Sequence, residues 1–326
     1  MMEPAFSFGP SGGEMTASVS LYRWEILRKP PPLSKGDRIA VVSVAGVVDQ
    51  RQMEAGMKVV EELGWIPVAW EGCFDEVDGY AGTDARRADR LLSAWEDPSV
   101  QGIWCSRGGY GSMRMLPHID FDRLRLRPKM LMGFSDITAL HAAIYRHCRM
   151  VTFHGPMITT LPETTDEARR WMQAMLSGAK DQTLSIASAV ILHPGKVVGP
   201  LFVGNLATLC HLQGTPYAPN LDGHILILED IGESWHRVDR MFVQLHLSGM
   251  LKRVGGILLG SFRDCGAFPE RILRAAEEIG GALDIPVAAG LPVGHQEDNR
   301  TLPNGILGEW DSEARSLRLL ETATAV

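Results

Sequence analysis

Four short segments of the chain combine residue types that can do chemistry together. The first is Gly133-Phe134-Ser135-Asp136, between an apolar run and a helical pattern. A serine on a sharp strand-to-helix turn is pushed out of the sheet with its Oγ exposed. The helix amino terminus beside it offers free N–H groups and positive dipole potential. Both suit a nucleophile and the oxyanion that it generates. A serine in that place is also a common helix cap, and the segment alone does not decide between the two. The G-x-S-x-G elbow is not matched, because Ile137 takes the last glycine position. The second segment is Ser106-Arg107-Gly108-Gly109-Tyr110-Gly111. Its glycines let backbone approach a ligand and turn N–H groups toward an anion, or they make a plain tight turn. It is neither a phosphate loop nor a dinucleotide fingerprint. Arg107 either pairs with a substrate carboxylate or holds a neighbouring loop. The third is Leu228-Glu229-Asp230-Ile231-Gly232-Glu233, where acids follow an apolar strand and either enter a cleft or sit in a solvated turn. The fourth is Gly294-His295-Gln296-Glu297-Asp298-Asn299, in which His295 is a general base or an exposed loop histidine.

Taken together the segments say more. A serine, a carboxylate and a histidine follow one another in that order, each at a predicted strand end and each near glycine. A nucleophile needs a base within hydrogen-bond reach, and the base needs an orienting group. The arrangement predicts an active site at an interface between two domains. Metal chemistry finds no comparable support. His141 and His147 are six apart and His236 and His246 ten apart, unlike H-E-x-x-H, so neither metal nor cofactor is expected. Cys105 lies inside an apolar strand, where a thiol is usually inert.

The elements that must hold these residues alternate between short apolar runs and helical patterns. Strands are expected at 37–44, 66–70, 101–106, 129–134 and 150–154. Helices are expected at 51–63, from Thr83 to about Trp95, and at 136–147. Such alternation implies βαβ units and a parallel sheet, which binds ligands at the carboxyl ends of its strands. Residues 35–155 thus form an α/β domain, and 156–195 read as a connection. Residues 196–326 form a smaller mixed α+β domain. Its expected elements are a helix at 204–212, a strand at 224–228, a helix at 238–250, a strand at 256–262, a helix at 270–279, a strand at 287–289 and a closing hairpin at 306–320. Residues 1–34, ending in Pro30-Pro31-Pro32, read as a flexible extension.

Composition bounds the function. The 326 residues are 45% hydrophobic and 22% charged, ordinary for a globular protein. The formal charge of −7 argues against a nucleic-acid partner. Five cysteines without a C-x-x-C pair fit a reducing compartment better than a disulfide framework. No apolar run reaches the roughly 18 residues of a membrane span, and no signal-peptide pattern opens the chain, so a cytoplasmic location is expected.

In combination and order, several stretches resemble the serine LD-carboxypeptidases, a family that includes the microcin C immunity proteins. They are GDRIAVVSVAG, GIWCSRGGYGSMR, LMGFSDITAL, FHGPM, GNLATL, LILEDIGE with HRVDRM, GILLGSF and LPVGHQEDNRTLPNG, running from Gly36 to Gly305. The resemblance implies a flavodoxin-like or amidotransferase-like first domain and a Ser-His-Glu triad without metal or cofactor. It implies Ser135 as nucleophile, His295 as base and Glu229 as orienting acid. Asp136 and Gly109 would give the oxyanion-hole N–H groups. From their positions alone, Arg107 is a candidate for the substrate, and Glu233 caps, pairs with Arg237 or lines the substrate pocket. The resemblance also implies a homodimer acting on a small peptide or muropeptide. One branch trims the terminal D-Ala from muropeptide tetrapeptides during peptidoglycan recycling. The other cleaves aminoacyl-nucleotide analogues and carries a longer inter-domain loop with an aromatic that stacks on the base. From Met157 to Gly199 the only aromatic is Trp171, which favours the carboxypeptidase branch. A non-catalytic peptide-binding protein on the same scaffold is the reading from another class. The presence of all three triad residues argues against it.

Overall fold

A computed structural model describes residues 27–266 and 269–325. The chain opens with β1 (Arg38–Val42), α1 (Gln50–Glu62), β2 (Ile66–Ala69), α2 (Asp84–Glu96) and β3 (Gly102–Cys105). The short helices α3 (Ser112–Met115) and α4 (Phe121–Leu126) lead into β4 (Met130–Gly133), α5 (Thr138–Cys148) and β5 (Thr152–His154). These strands pair in parallel in the order β2-β1-β3-β4-β5. That is the flavodoxin-like order, with its switch point between β1 and β3. Strands β3 and β4 are buried at every position, as a sheet covered on both faces requires. The flanking helices start where the sequence offers a cap. Asp49 accepts from the Gln52 N–H and Thr83 from the Arg86 N–H.

After α6 (Asp166–Leu176) the chain builds a second, eight-stranded sheet. It contains β6 (Thr183–Ser185), β7 (Val190–His193), β8 (Lys196–Asn205), β9 (Ile225–Ile231), β10 (Gly256–Arg263) and β11 (Val287–Ala289). Helices α7 (Leu206–His211), α8 (Trp235–Leu247) and α9 (Pro269–Leu283) connect the parallel strands β8 to β11. Then β12 (Leu302–Asn304) crosses back and pairs antiparallel with β5 at the edge of the first sheet. The hairpin of β13 (Leu307–Asp311) and β14 (Ser316–Leu319) returns to the second sheet beside β8.

Three expectations change. Residues 183–193, read as connection, are the edge strands β6 and β7, pairing with β14 and β11. They are short and half polar, so the pattern hides them. Residues 27–34, read as part of a flexible extension, are packed. Leu33 is buried and its N–H bonds the Leu176 carbonyl, while Arg28 bridges to Met150. The rest of that extension, 1–26, lies outside the described residues. The helix expected from Gly204 begins at Leu206, because Asn205 ends β8 and caps α7 by accepting from the Thr208 N–H.

The two sheets meet across α5. Its residues from Thr138 to Ile144 are all buried, a helix without a solvent face. It packs on α4 and β5 on one side and on α7 and β8 on the other. Close approach to β8 depends on Gly204, where a Cβ would lie 2.6 Å from Thr138 Cγ2. Next to it the Asn205 N–H bonds Thr138 Oγ1 at 2.9 Å. The helix that follows Ser135 is thus fastened to the strand beside β9.

Candidate active site

Ser135 sits where β4 gives way to a 3₁₀ turn, Ser135–Ile137, ahead of α5. Its φ is +62°, a left-handed backbone unusual for serine. Such a conformation costs a non-glycine residue about 1–2 kcal/mol, and it recurs where a side chain must be presented from a tight turn. The turn is held from below. The His141 Nε2–H donates to the Gly133 carbonyl at 2.9 Å, and burial drives that imidazole down to about 3, so it stays neutral. A Cβ at Gly133 would strike Ile137 Cγ2 at 2.9 Å, which fixes glycine at the strand end.

Glu229 and His295 arrive from the second sheet. The strand does not stop at Leu228 as its apolar run implied; β9 continues to Ile231, so Glu229 and Asp230 point to opposite faces. Asp230 faces α7 and accepts from Asn205 Nδ2 and the Ala207 N–H, both at 2.9 Å. Its burial pushes its carboxyl up to about 6. Glu229 faces the other way, fully buried, and its Oε2 accepts from His295 Nδ1 at 2.5 Å. Since that nitrogen faces a carboxylate it carries the proton, leaving Nε2 to accept from Ser135 Oγ at 3.1 Å. Burial raises the Glu229 carboxyl, but the His295 and His154 imidazoles beside it outweigh burial and hold it well below the usual carboxylate range. His295 is aimed by its glycine neighbour. Gly294 has φ +103°, and a Cβ there would meet both Cβ and Oε2 of Glu229 at 2.6 Å. The Gly294 N–H bonds Asn299 Oδ1 at 2.9 Å. The Phe134 ring lies 4.8 Å from the imidazole of His295.

The glycine loop after β3 closes over Ser135. A Cβ at Gly108 would stand 3.4 Å from Ser135 Cβ and 3.6 Å from the Asp136 nitrogen. Gly109 follows at φ +102°, a backbone conformation that favours glycine. Asp136 does not face the cleft with its side chain. Its Oδ2 accepts from the Ser112 N–H at 2.8 Å, and Ser112 Oγ donates to its carbonyl. Burial raises the Asp136 carboxyl. Arg107 folds back over the loop and donates from Nη1 to the Val47 carbonyl at 2.8 Å. Its Nη2 would be 3.5 Å from a Cβ on Gly109. Beside it opens a cavity of about 370 Å³, walled by Tyr80, Tyr110, Asp78 and Gly109. Glu233 lies beyond β9, where its Oε2 accepts from Arg237 at 3.1 Å, and no bond joins it to His295 among the described residues.

Sequence reasoning missed two residues here. Arg87, fully buried on α2, donates to the carbonyls of Val44 and Gly111 at 2.7 Å each and so ties together the loops after β1 and β3. Nothing in a helical pattern marks it. His154 ends β5 and stands behind Glu229. It lay within the quoted stretch FHGPM, but a lone histidine closing an apolar run gives no sign of its neighbour.

Comparison with known proteins places the chain in a family. Residues 39–155 match the LD-carboxypeptidase N-terminal domain, and residues 198–309 match the LD-carboxypeptidase C-terminal domain. The murein tetrapeptide carboxypeptidase of Pseudomonas aeruginosa is 33% identical over 284 residues, 82% of this chain and 91% of that protein. The crystal structure of a muramoyltetrapeptide carboxypeptidase from Oxalobacter formigenes has a TM-score of 0.76 at 29% identity, covering 86% of this chain and 97% of that one. The microcin C7 self-immunity protein MccF of Escherichia coli is 27% identical over 329 residues, 89% of this chain and 95% of that protein. Its wild-type apo structure has a TM-score of 0.85 at 25% identity, covering 91% and 99%. With both parts matched in order and relatives aligned over most of their length, the chain belongs to the LD-carboxypeptidase family.

Proposed function

We propose that this protein is a serine-type carboxypeptidase that removes the C-terminal D-alanine of muropeptide tetrapeptides, as a cytoplasmic homodimer in peptidoglycan recycling. The observation that carries the reading is the line from Ser135 Oγ through His295 to Glu229, with spacings of 3.1 Å and 2.5 Å. His295 takes the Ser135 proton as Oγ attacks the carbonyl before the terminal residue. Glu229 holds the imidazole tautomer and stabilises the imidazolium that forms. The N–H groups of Gly109 and Asp136 receive the oxyanion, beside the amino terminus of α5. His295 then protonates the leaving amine, and water resolves the acyl-enzyme.

An exopeptidase must also read a chain end. Arg107, bent over the glycine loop and lining the cavity beside Gly109, is the residue we assign to that task, because its guanidinium suits the terminal carboxylate. Glu233, held by Arg237 at 3.1 Å, is the further residue we assign to the substrate side of the site.

Similarity to the microcin immunity protein supports a second reading, hydrolysis of aminoacyl-nucleotide analogues. One observation weighs against it. Trp171 gives its indole N–H to the Thr301 carbonyl at 2.7 Å and packs, partly buried, against the core, as a packing residue does. Mass spectrometry separates the readings. Incubation with a tetrapeptide ending in D-Ala should release D-Ala and spare the L-Ala control. Cleavage of an aminoacyl sulfamoyl nucleotide with the tetrapeptide untouched would move the chain to the other branch.

A further inference from the structure

Behind the Ser135–His295–Glu229 line stands a second histidine. His154 ends β5, in register with Leu302 of β12, and is fully buried, as is Glu229. Its Nε2 lies 3.8 Å from Glu229 Oε1, the carboxylate oxygen that His295 does not use. Neither Oε1 nor either nitrogen of His154 has a hydrogen-bond partner among the described residues. A buried polar atom without a partner is rare, and here a donor and an acceptor face each other. The gap is too long for a hydrogen bond and too short for a bridging water, and a shift of about 1 Å closes it. Phe134 braces both rings, 5.9 Å from His154 and 4.8 Å from His295.

We propose that His154 is a positioning residue, donating its Nε2–H to Glu229 Oε1 so that the carboxylate stays ionised with Oε2 fixed on His295. The line then has four members, and no proton crosses the His154–Glu229 bond. The inference rests on the serine-hydrolase reading of the site and is independent of the substrate. The ionisable groups found against His154 among the described residues are Glu229 from β9 and His141 from α5, and His295, from the loop after β11, shares Glu229 with it. His141 is already committed to the Gly133 carbonyl, and Asp230 lies on the far face of β9. Loss of the donor leaves burial to act on Glu229 with less opposition, so its carboxyl rises.

The test follows the rate of Ser135 labelling by a fluorophosphonate against pH, in the wild type, His154→Leu and His154→Gln. His154→Leu should slow labelling near neutrality by roughly ten- to hundredfold, the worth of one hydrogen bond to a charged group. Its acid limb, which reports Glu229 and His295 as a pair, should move to higher pH. His154→Gln retains an N–H donor and should keep the wild-type limb. Superimposable profiles for His154→Leu and wild type, or a glutamine variant as impaired as the leucine one, overturn the proposal. Histidine ¹⁵N spectra of the wild type decide the matter even where a variant does not fold. An Nε2–H tautomer of His154 with a hydrogen-bonded proton supports it, and an Nδ1–H tautomer with a bare Nε2 overturns it. A wild type that never labels while His154 shows the Nε2–H bond sinks the nucleophile reading and leaves the pairing with Glu229 standing.

Discussion

Ser135 combines the role proposed for it with backbone strain in the same turn. Replacing it separates the two. Ser135→Ala keeps a Cβ at φ +62° and should leave the melting temperature nearly unchanged, whereas Ser135→Gly relieves the left-handed backbone. We expect the glycine variant to be about 1 kcal/mol more stable than the alanine variant, and both to lose turnover on the order of 10⁶-fold. Calorimetry with tetrapeptide turnover checks this, and more than a tenth of wild-type activity in either variant would rule out Ser135 as nucleophile. The acid is tested by a pair of variants. Glu229→Gln should lose about 10⁴-fold through the wrong histidine tautomer, while Glu233→Gln, whose side chain bonds Arg237 rather than His295, should keep acylation in single-turnover experiments. The opposite pattern would reassign the acid. Ser135, Glu229 and His295 stood out in the sequence because each follows an apolar run and has glycine close by. Their proximity did not, since 160 residues separate serine from histidine and 66 separate histidine from glutamate. His154 and Arg87 were illegible because their partners are distant backbone and side chains, and spacing carries no record of them.

At the scale of elements, the first sheet could be read almost strand by strand. Its inner strands are buried on both faces, so they appear as continuous apolar runs. The second sheet was harder because β6 and β7 are edge strands with polar faces. In β12, Leu302-Pro303-Asn304, the proline also argues against a strand. Proline is tolerated there because β12 is an edge with a single partner, β5. The contact of α5 with β8 is the joint that brings Ser135 to Glu229, and Gly204 is its tightest point. We expect Gly204→Ala to lower stability by about 1–3 kcal/mol through overpacking against Thr138. Because α5 is displaced with it, turnover should fall more than tenfold even well below the melting temperature. A destabilised variant with wild-type turnover would show that α5 does not set the geometry.

For the whole molecule, burial sets the response to acid. His141 and His224 are driven down to about 3 and about 4 by burial, so they stay neutral in the fold and charge on unfolding. Their stabilising effect is complete above their unfolded value near 6.5 and is lost as pH falls toward 4. Asp230 acts in the opposite sense. Its carboxyl is raised to about 6, so its contribution is complete below about 4 and is lost as pH rises through 6. Two histidines against one carboxyl leave a net uptake on unfolding between pH 6 and 4, and buried Asp136, raised, and His147, lowered, act in opposite senses on top of it. Stability should fall by about 1 kcal/mol for each pH unit across that window. Urea midpoints at pH 7, 6 and 5 measure it, and His141→Asn should flatten the slope if it folds. Midpoints that rise toward pH 5 would reverse the assignment.

The return of β12 to the first sheet also bears on how the chain is made. Synthesis runs from the amino terminus, and β5 leaves the ribosome long before Leu302 exists. Until then the growing sheet ends in an unpaired edge, with the hydrogen-bonding groups of Thr152 to His154 open to any passing strand. The amino-terminal half, although it reads as a tidy domain, is therefore expected to depend on the carboxy-terminal half for its last strand. Expressed alone it should bind chaperones or aggregate, and supplying the carboxy-terminal half in trans should rescue it by strand complementation.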